Sequence, residues 1–149
     1  MPTETHPADA TPIRFRVLYA DTDAQGVVYH GRFVPWLEAG RTEYLRARGY
    51  TYREMEASGV GMSVIELQIR FRAPARYDDP IVVYAWISEF SRVRVRFGYA
   101  VYHEPEARLL LEAETVHAFI DREGRLLRIN RHPEVLARLQ ALAGTLPAE

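Results

Sequence analysis

Asp21 and Asp23, followed by Gly26 and the run Val27-Val28-Tyr29-His30, form the stretch of this chain best suited to chemistry. They lie between a short alternating segment and a long amphipathic one, which places the carboxylates in a strand-to-helix turn. The first N–H groups of a helix have no partner within it and carry roughly half a positive charge, so they suit a developing oxyanion. A base or nucleophile and an electrophilic site therefore fall within a few residues of each other. A carboxylate in such a place suits the part of base or nucleophile. Taken alone, Asp23 reads first as a residue that caps the helix or closes a turn on its own backbone. Gly26 lets the backbone turn tightly or approach a substrate.

The elements that position these residues follow from periodicity. Ile13, Phe15, Val17 and Tyr19 alternate with Arg14, Arg16 and Leu18, the period of a strand with one buried face. From Gly31 to about Arg48, Phe33, Trp36, Leu37, Gly40, Tyr44, Leu45 and Ala47 recur at three and four, which predicts an amphipathic helix ended by Gly49. Pro35 fits only in its first turn, so the regular helix is expected from near Val34, with His30 and Gly31 at its entrance. After a link over Thr51 to Gly59, strands are expected at Ser63 to Arg72, Ile81 to Phe90, Arg92 to His103 and Leu109 to Asp121. A brief extended piece at Leu126 to Ile129 and a closing helix from Pro133 to Leu142 complete the order. One long helix followed by long strands describes an α+β domain whose helix buries its apolar stripe on an antiparallel sheet.

At 149 residues the chain is most simply one domain, expected over residues 13–143, with tails at 1–12 and 144–149. Its net charge of -1, from 19 basic and 20 acidic residues, argues against a nucleic-acid binder. There is no cysteine, which excludes disulfides, thiolate metal sites and a cysteine nucleophile. All the basic residues apart from histidine are arginine, which we read as genomic coding bias. Met1 to Pro12 has neither the basic start nor the apolar core of a signal peptide, and no apolar run approaches the roughly 20 residues needed to span a bilayer. The expectation is a cytoplasmic protein with a frayed N-terminal tail and no membrane insertion.

The segment around Asp21 resembles the signature of the 4-hydroxybenzoyl-CoA thioesterase family of hot-dog proteins. Asp21, Asp23, Gly26, Val27, Val28 and Tyr29 fill the family pattern in order, and the likeness continues through residues 32–45 and more loosely to about Pro133. It is nearest to the branch of the Tol-Pal-associated acyl-CoA thioesterase, which also reads Val-Val-Tyr-His. The resemblance implies an antiparallel sheet wrapped around a long central helix, and hydrolysis of acyl-CoA to a free acid and CoA. Asp23 would be the nucleophile or general base, and with Asp21, Gly26 and the Tyr29-His30 pair in register around it, we favour that role over the cap. The backbone N–H of His30 would be the oxyanion donor, while its imidazole either hydrogen-bonds substrate or Asp23 or is structural. Tyr29 would pack beside the substrate, and Asp21 would support the site from behind.

Phosphate contacts to CoA are assigned to Arg92 and, at the family's phosphate-contacting position, to Arg128; Arg94 and Arg96 are read as a solvated strand face. Phe33, Trp36, Met62 and Val64 either line an acyl pocket or are plain core. Glu38 and Glu43 are expected to be surface charge or partners of Arg41 and Arg46, because the histidine-glycine-glycine and His-Phe-Pro-Gly motifs of other hot-dog enzymes are missing. His6, His103, His117 and His132 have no metal-ligand spacing, so neither metal nor cofactor is expected. Acyl carrier protein thioesters are an alternative substrate, and a non-catalytic acyl-CoA-binding module is a reading of a different class. Long alternating strands would leave an unprotected sheet edge, so a homodimer or homotetramer is expected.

Overall fold

The computed structural model describes residues 6–8 and 10–143; residues 1–5, 9 and 144–149, on which parts of the two expected tails fall, lie outside the described residues. The strands are β1 (Thr11–Arg16), β2 (Gly61–Phe71), β3 (Pro80–Phe90), β4 (Arg94–His103) and β5 (Arg108–Ile120). The helices are α1 (Phe33–Ala47), α2 (Tyr52–Ala57) and α3 (Pro133–Ala143). The five strands form one antiparallel sheet in the order β1-β3-β4-β5-β2, the α+β class expected. By contacts the chain divides into two compact units.

The first unit comprises residues 1–44, 69–86 and 98–113. In it β1 pairs antiparallel with β3, from Thr11 opposite Ala85 to Arg16 opposite Pro80. The alternation suggested a strand as far as Tyr19, but β1 stops at Arg16 and residues 19–21 form a 3-10 turn. The cause is local: Asp21 takes the Leu18 N–H on Oδ2 at 2.8 Å and draws the chain round. Another 3-10 turn, His30–Arg32, leads directly into α1, so the helix starts at Phe33 and Pro35 sits in its first turn. The stripe of α1 lies on β3, where a Cβ on Gly40 would stand 3.0 Å from Val83 Cγ1 and 3.4 Å from the Ala85 Cβ. Around the helix entrance Trp36 meets both Phe15 and Phe33 edge to face at 4.8 Å, and Phe33 meets Phe71 of β2 at 5.7 Å. A separate cluster of Val82, Ala100 and Tyr102 gathers Tyr84, Trp86 and Leu109, and the His6 ring stacks on Tyr84 at 3.7 Å.

The second unit comprises residues 45–68, 87–97 and 114–149. Thr51 caps α2, its hydroxyl accepting the Glu54 N–H while Glu54 reaches back to the Thr51 N–H, the reciprocal arrangement its sequence favours. Met55, Val60, Phe90, Val95, Phe97, Phe119, Ile129, Val135 and Leu139 are buried. Ser91 bends the chain before β4, its Oγ accepting from the N–H groups of Val93 and Arg94. Arg92 therefore stands on that bend and not on the strand with Arg94 and Arg96. The Arg92 carbonyl accepts the Ile129 N–H at 2.7 Å, tying the bend to the segment that carries Arg128.

Candidate active site

Thr22 and Val28 form an isolated antiparallel bridge, and the Asp23 N–H donates to the Val27 carbonyl at 2.9 Å, so residues 22–28 make a small hairpin. Gly26 closes it with φ +78, donating to the Asp23 carbonyl at 3.0 Å. A Cβ on Gly26 would meet nothing within 4 Å, so the glycine serves the left-handed turn and not a close approach within the chain. The half-buried Asp23 sits at the start of this turn. Its Oδ1 accepts the Gln25 N–H at 2.8 Å, the self-closing turn a structural aspartate would make, while Oδ2 is left without a hydrogen bond among the described residues. One oxygen thus orients the carboxylate and the other is open to a reactant.

Asp21 has a different environment. It is 3% exposed, with Oδ1 2.6 Å from the Arg32 Nε and Oδ2 bonded to the Leu18 N–H, and its carbonyl takes the Tyr29 N–H at 2.9 Å. Both carboxylate oxygens are engaged, so Asp21 braces the turn from behind, clamping residues before and after the hairpin. Arg32 is a neighbour of this turn that the sequence pattern does not single out. A pairing eleven residues apart through a loop has no periodic signal.

His30 opens the 3-10 turn that runs into α1, and by helix geometry its N–H has no acceptor within the turn. Its exposed imidazole lies against the Tyr29 ring, with centroids 4.4 Å apart. Tyr29 is half exposed and folds back over Gly31, where an added Cβ would come within 2.8 Å of the Tyr29 Cε2. The aromatic thus roofs the helix entrance because residue 31 has no side chain. The Val28 N–H donates to the Ala75 carbonyl at 2.8 Å, anchoring the end of the hairpin.

In the second unit Arg128 lines a cleft of about 530 Å³ with Val93, Asp121, Leu126, Leu127, Arg131 and His132. Arg131 and His132, from the 3-10 turn at residues 129–131 and the residue after it, bring further cationic or polar character that sequence reasoning passed over. Their signal is only their place near Arg128. Arg92 is not among the lining residues. Arg96 is held by Glu89 at 3.0 Å and Glu114 at 2.9 Å, so it is a paired strand residue and not a loose cation. Burial works against its charge, but the hydrogen bonds and charges of the two carboxylates more than offset this and its pKa lies above the usual value. No group of three or more His, Asp or Glu side chains among the described residues is placed to hold a metal ion.

Residues 17–140 match the profile of the thioesterase-like superfamily. Over 106 residues, 71% of this chain and 78% of the relative, the sequence is 35% identical to the acyl-CoA thioester hydrolase YbgC of Escherichia coli. It is 30% identical over 117 residues to the chloroplastic acyl-acyl carrier protein thioesterase ATL3 of Arabidopsis thaliana, covering 78% of this chain and 62% of that one. Among solved structures, a DHNA-CoA thioesterase from Staphylococcus aureus superposes with a TM-score of 0.79 and 27% identity, covering 89% of this chain and 92% of its own.

Proposed function

Because the chain belongs to the thioesterase-like superfamily, whose profile spans residues 17–140, we propose that it hydrolyses acyl-CoA thioesters with Asp23 as the reacting carboxylate. The observation that carries this is the uncommitted Oδ2 of Asp23, whose other oxygen, Oδ1, accepts the Gln25 N–H on the hairpin that precedes α1. Two balanced routes use it. Asp23 attacks the thioester carbonyl, the thiolate of CoA leaves, and water hydrolyses the resulting anhydride; or Asp23 takes a proton from water, which attacks in its place. A thiolate leaves without prior protonation, so a single carboxylate suffices. The His30 N–H, at the positive end of the helix, receives the oxyanion in either route. Water is the only co-substrate and no cofactor is required.

Tyr29 supplies an apolar roof for the acyl group, and the cleft at Arg128 suits the phosphates of CoA, with Arg92 set on the neighbouring bend. The Val27 to His30 run supports placing the chain in the Tol-Pal-associated branch. A carrier-protein thioester is the second substrate reading, favoured by the likeness to ATL3. A non-catalytic acyl-CoA module would leave the open oxygen of Asp23 without a purpose. No helix among the described residues is long and apolar enough to cross a membrane, in keeping with action in the cytoplasm. Assembly as a homodimer or homotetramer belongs to the same proposal.

Steady-state hydrolysis of a panel from acetyl-CoA to long-chain and aromatic acyl-CoA, with Asp23→Asn alongside, tests it. Turnover in the wild type that falls by about a hundredfold or more in the folded variant is expected, the scale of removing the central acid or base. Turnover kept in Asp23→Asn would reject the assignment of Asp23. A folded protein inactive across the panel would reject CoA hydrolysis.

A further inference from the structure

Arg32 is tied into the hairpin by one side-chain nitrogen only. Its Nε donates to Asp21 Oδ1 at 2.6 Å, so a carboxylate that is 3% exposed anchors a guanidinium that is 47% exposed. Arginine and a carboxylate at their best pair through two parallel bonds. Here the Leu18 N–H already occupies Oδ2 at 2.8 Å, the place that a second bond would take. Among the described residues no acceptor engages either Nη of Arg32.

Arg14 shows the contrast. It makes the same kind of bond, Nε to Glu104 Oε1 at 2.7 Å, but the two side chains are 55% and 38% exposed, so neither end is anchored. Arg32 is fixed at its inner end by the buried Asp21, and along its backbone by the Tyr29 carbonyl, which accepts its N–H at 2.9 Å. A cation held in this way has already lost part of its rotamer freedom, and binding an anion costs it less. It also stands close to the reaction, two residues past His30 in the same 3-10 turn, a rise of about 4 Å.

We propose that the two Nη groups of Arg32 bind a carboxylate at the far end of a short acyl chain, so that the preferred substrates are CoA thioesters of dicarboxylic acids. This rests on the reading of the chain as an acyl-CoA hydrolase. Two parallel N–H groups match the two oxygens of a carboxylate, whereas a ketone or hydroxyl offers one. The phosphates of CoA present similar oxygens, but the pantetheine arm separates them from the thioester. A cation two residues from the oxyanion donor is in reach of the acyl end and not of the nucleotide. Asp21 and Asp23 alone would repel an anionic acyl group; the guanidinium cancels Asp21, and the positive helix entrance favours the anion. The half-exposed Tyr29 ring covers the methylenes between the two ends.

Succinyl-CoA and butyryl-CoA have equal acyl length and differ by a carboxylate in place of a methyl group, which makes the test direct. In the wild type kcat/KM is expected to favour succinyl-CoA by about tenfold or more, the scale of one charge-assisted pair. In Arg32→Gln, which keeps a donor for Asp21 and loses the fork, the ratio is expected to fall to near one. Damage to the turn would lower both substrates alike and cancel in the ratio, so an unchanged ratio makes Arg32 purely structural and overturns the proposal. The same two acyl groups on pantetheine, which has no nucleotide, should keep the wild-type preference. A preference lost there, with weaker binding of free CoA to Arg32→Gln, would assign Arg32 to the phosphates and overturn the acyl assignment. Calorimetry with the thioethers S-(3-carboxypropyl)-CoA and S-butyl-CoA separates binding from hydrolysis and needs only the wild type, so it decides even where Arg32→Gln does not fold. Tighter binding of the carboxylated thioether by about tenfold, in a protein without turnover, would sustain the carboxylate site and reject the hydrolase; equal binding of the two, in active or inactive protein, rejects the site.

Discussion

Two aspartates two residues apart differ in what surrounds their oxygens. Asp21 is buried and saturated by Arg32 and the Leu18 N–H, whereas Asp23 keeps Oδ2 open. Removing Arg32 leaves a buried carboxylate short of its charged partner; with Arg32 itself half exposed, Arg32→Ala should cost about 1–2 kcal/mol in urea unfolding. It should also lower kcat more than it raises KM, because it disturbs the turn that carries Asp23 and not the cleft at Arg128; unchanged stability and kinetics would remove the brace from the account. Gly26→Ala places a side chain at φ +78 and should cost about 1 kcal/mol, read from the same unfolding curves. The buried Tyr50 hydroxyl has no hydrogen-bond partner among the described residues, and burial pushes its pKa up while the Arg138 charge over its ring pulls it back. The unfolded phenol then ionises first, so stability should fall as pH rises past about 10, and Tyr50→Phe should remove that loss. An unchanged alkaline limb in Tyr50→Phe would refute it. The turn that carries Asp23, Gly26 and His30 was legible from residue order; the Arg32 ion pair and the room that Gly31 leaves for Tyr29 were not, since one spans a loop and the other is a matter of space.

At the scale of elements, periodicity located every strand and helix that matters to the site, with ends shifted where side chains intervene. β1 ends early because Asp21 captures Leu18, and β4 begins at Arg94 because Ser91 captures the next amides. The contact of α1 with β3 depends on Gly40, whose missing side chain admits Val83. Gly40→Leu should therefore destabilise the protein by about 1–3 kcal/mol despite its better helix propensity, lowering the thermal midpoint; a neutral outcome would mean that α1 shifts freely on β3. The alternation in β2 was read correctly as a strand, but its exposure belongs to sheet order, which local sequence does not carry.

At the scale of the molecule, a net charge of -1 conceals a cleft that gathers two arginines, Arg128 and Arg131, with Asp121 as its acidic lining residue. If that cleft holds the phosphates of CoA, KM should rise with ionic strength while kcat stays level, and Arg128→Ala should raise KM about tenfold and flatten the salt dependence. A KM indifferent to salt would point to a different anchor. Composition, periodicity and the order of Asp21 to His30 determined the α+β class, the strand-to-helix turn and the family, because these rest on local spacing along one chain. Only the tertiary structure decided which aspartate is saturated and which is open, which arginine lines the cleft, and that β2 stands unprotected at the sheet edge. Each of these depends on groups far apart in sequence meeting in space, and that meeting is set by packing and not by spacing.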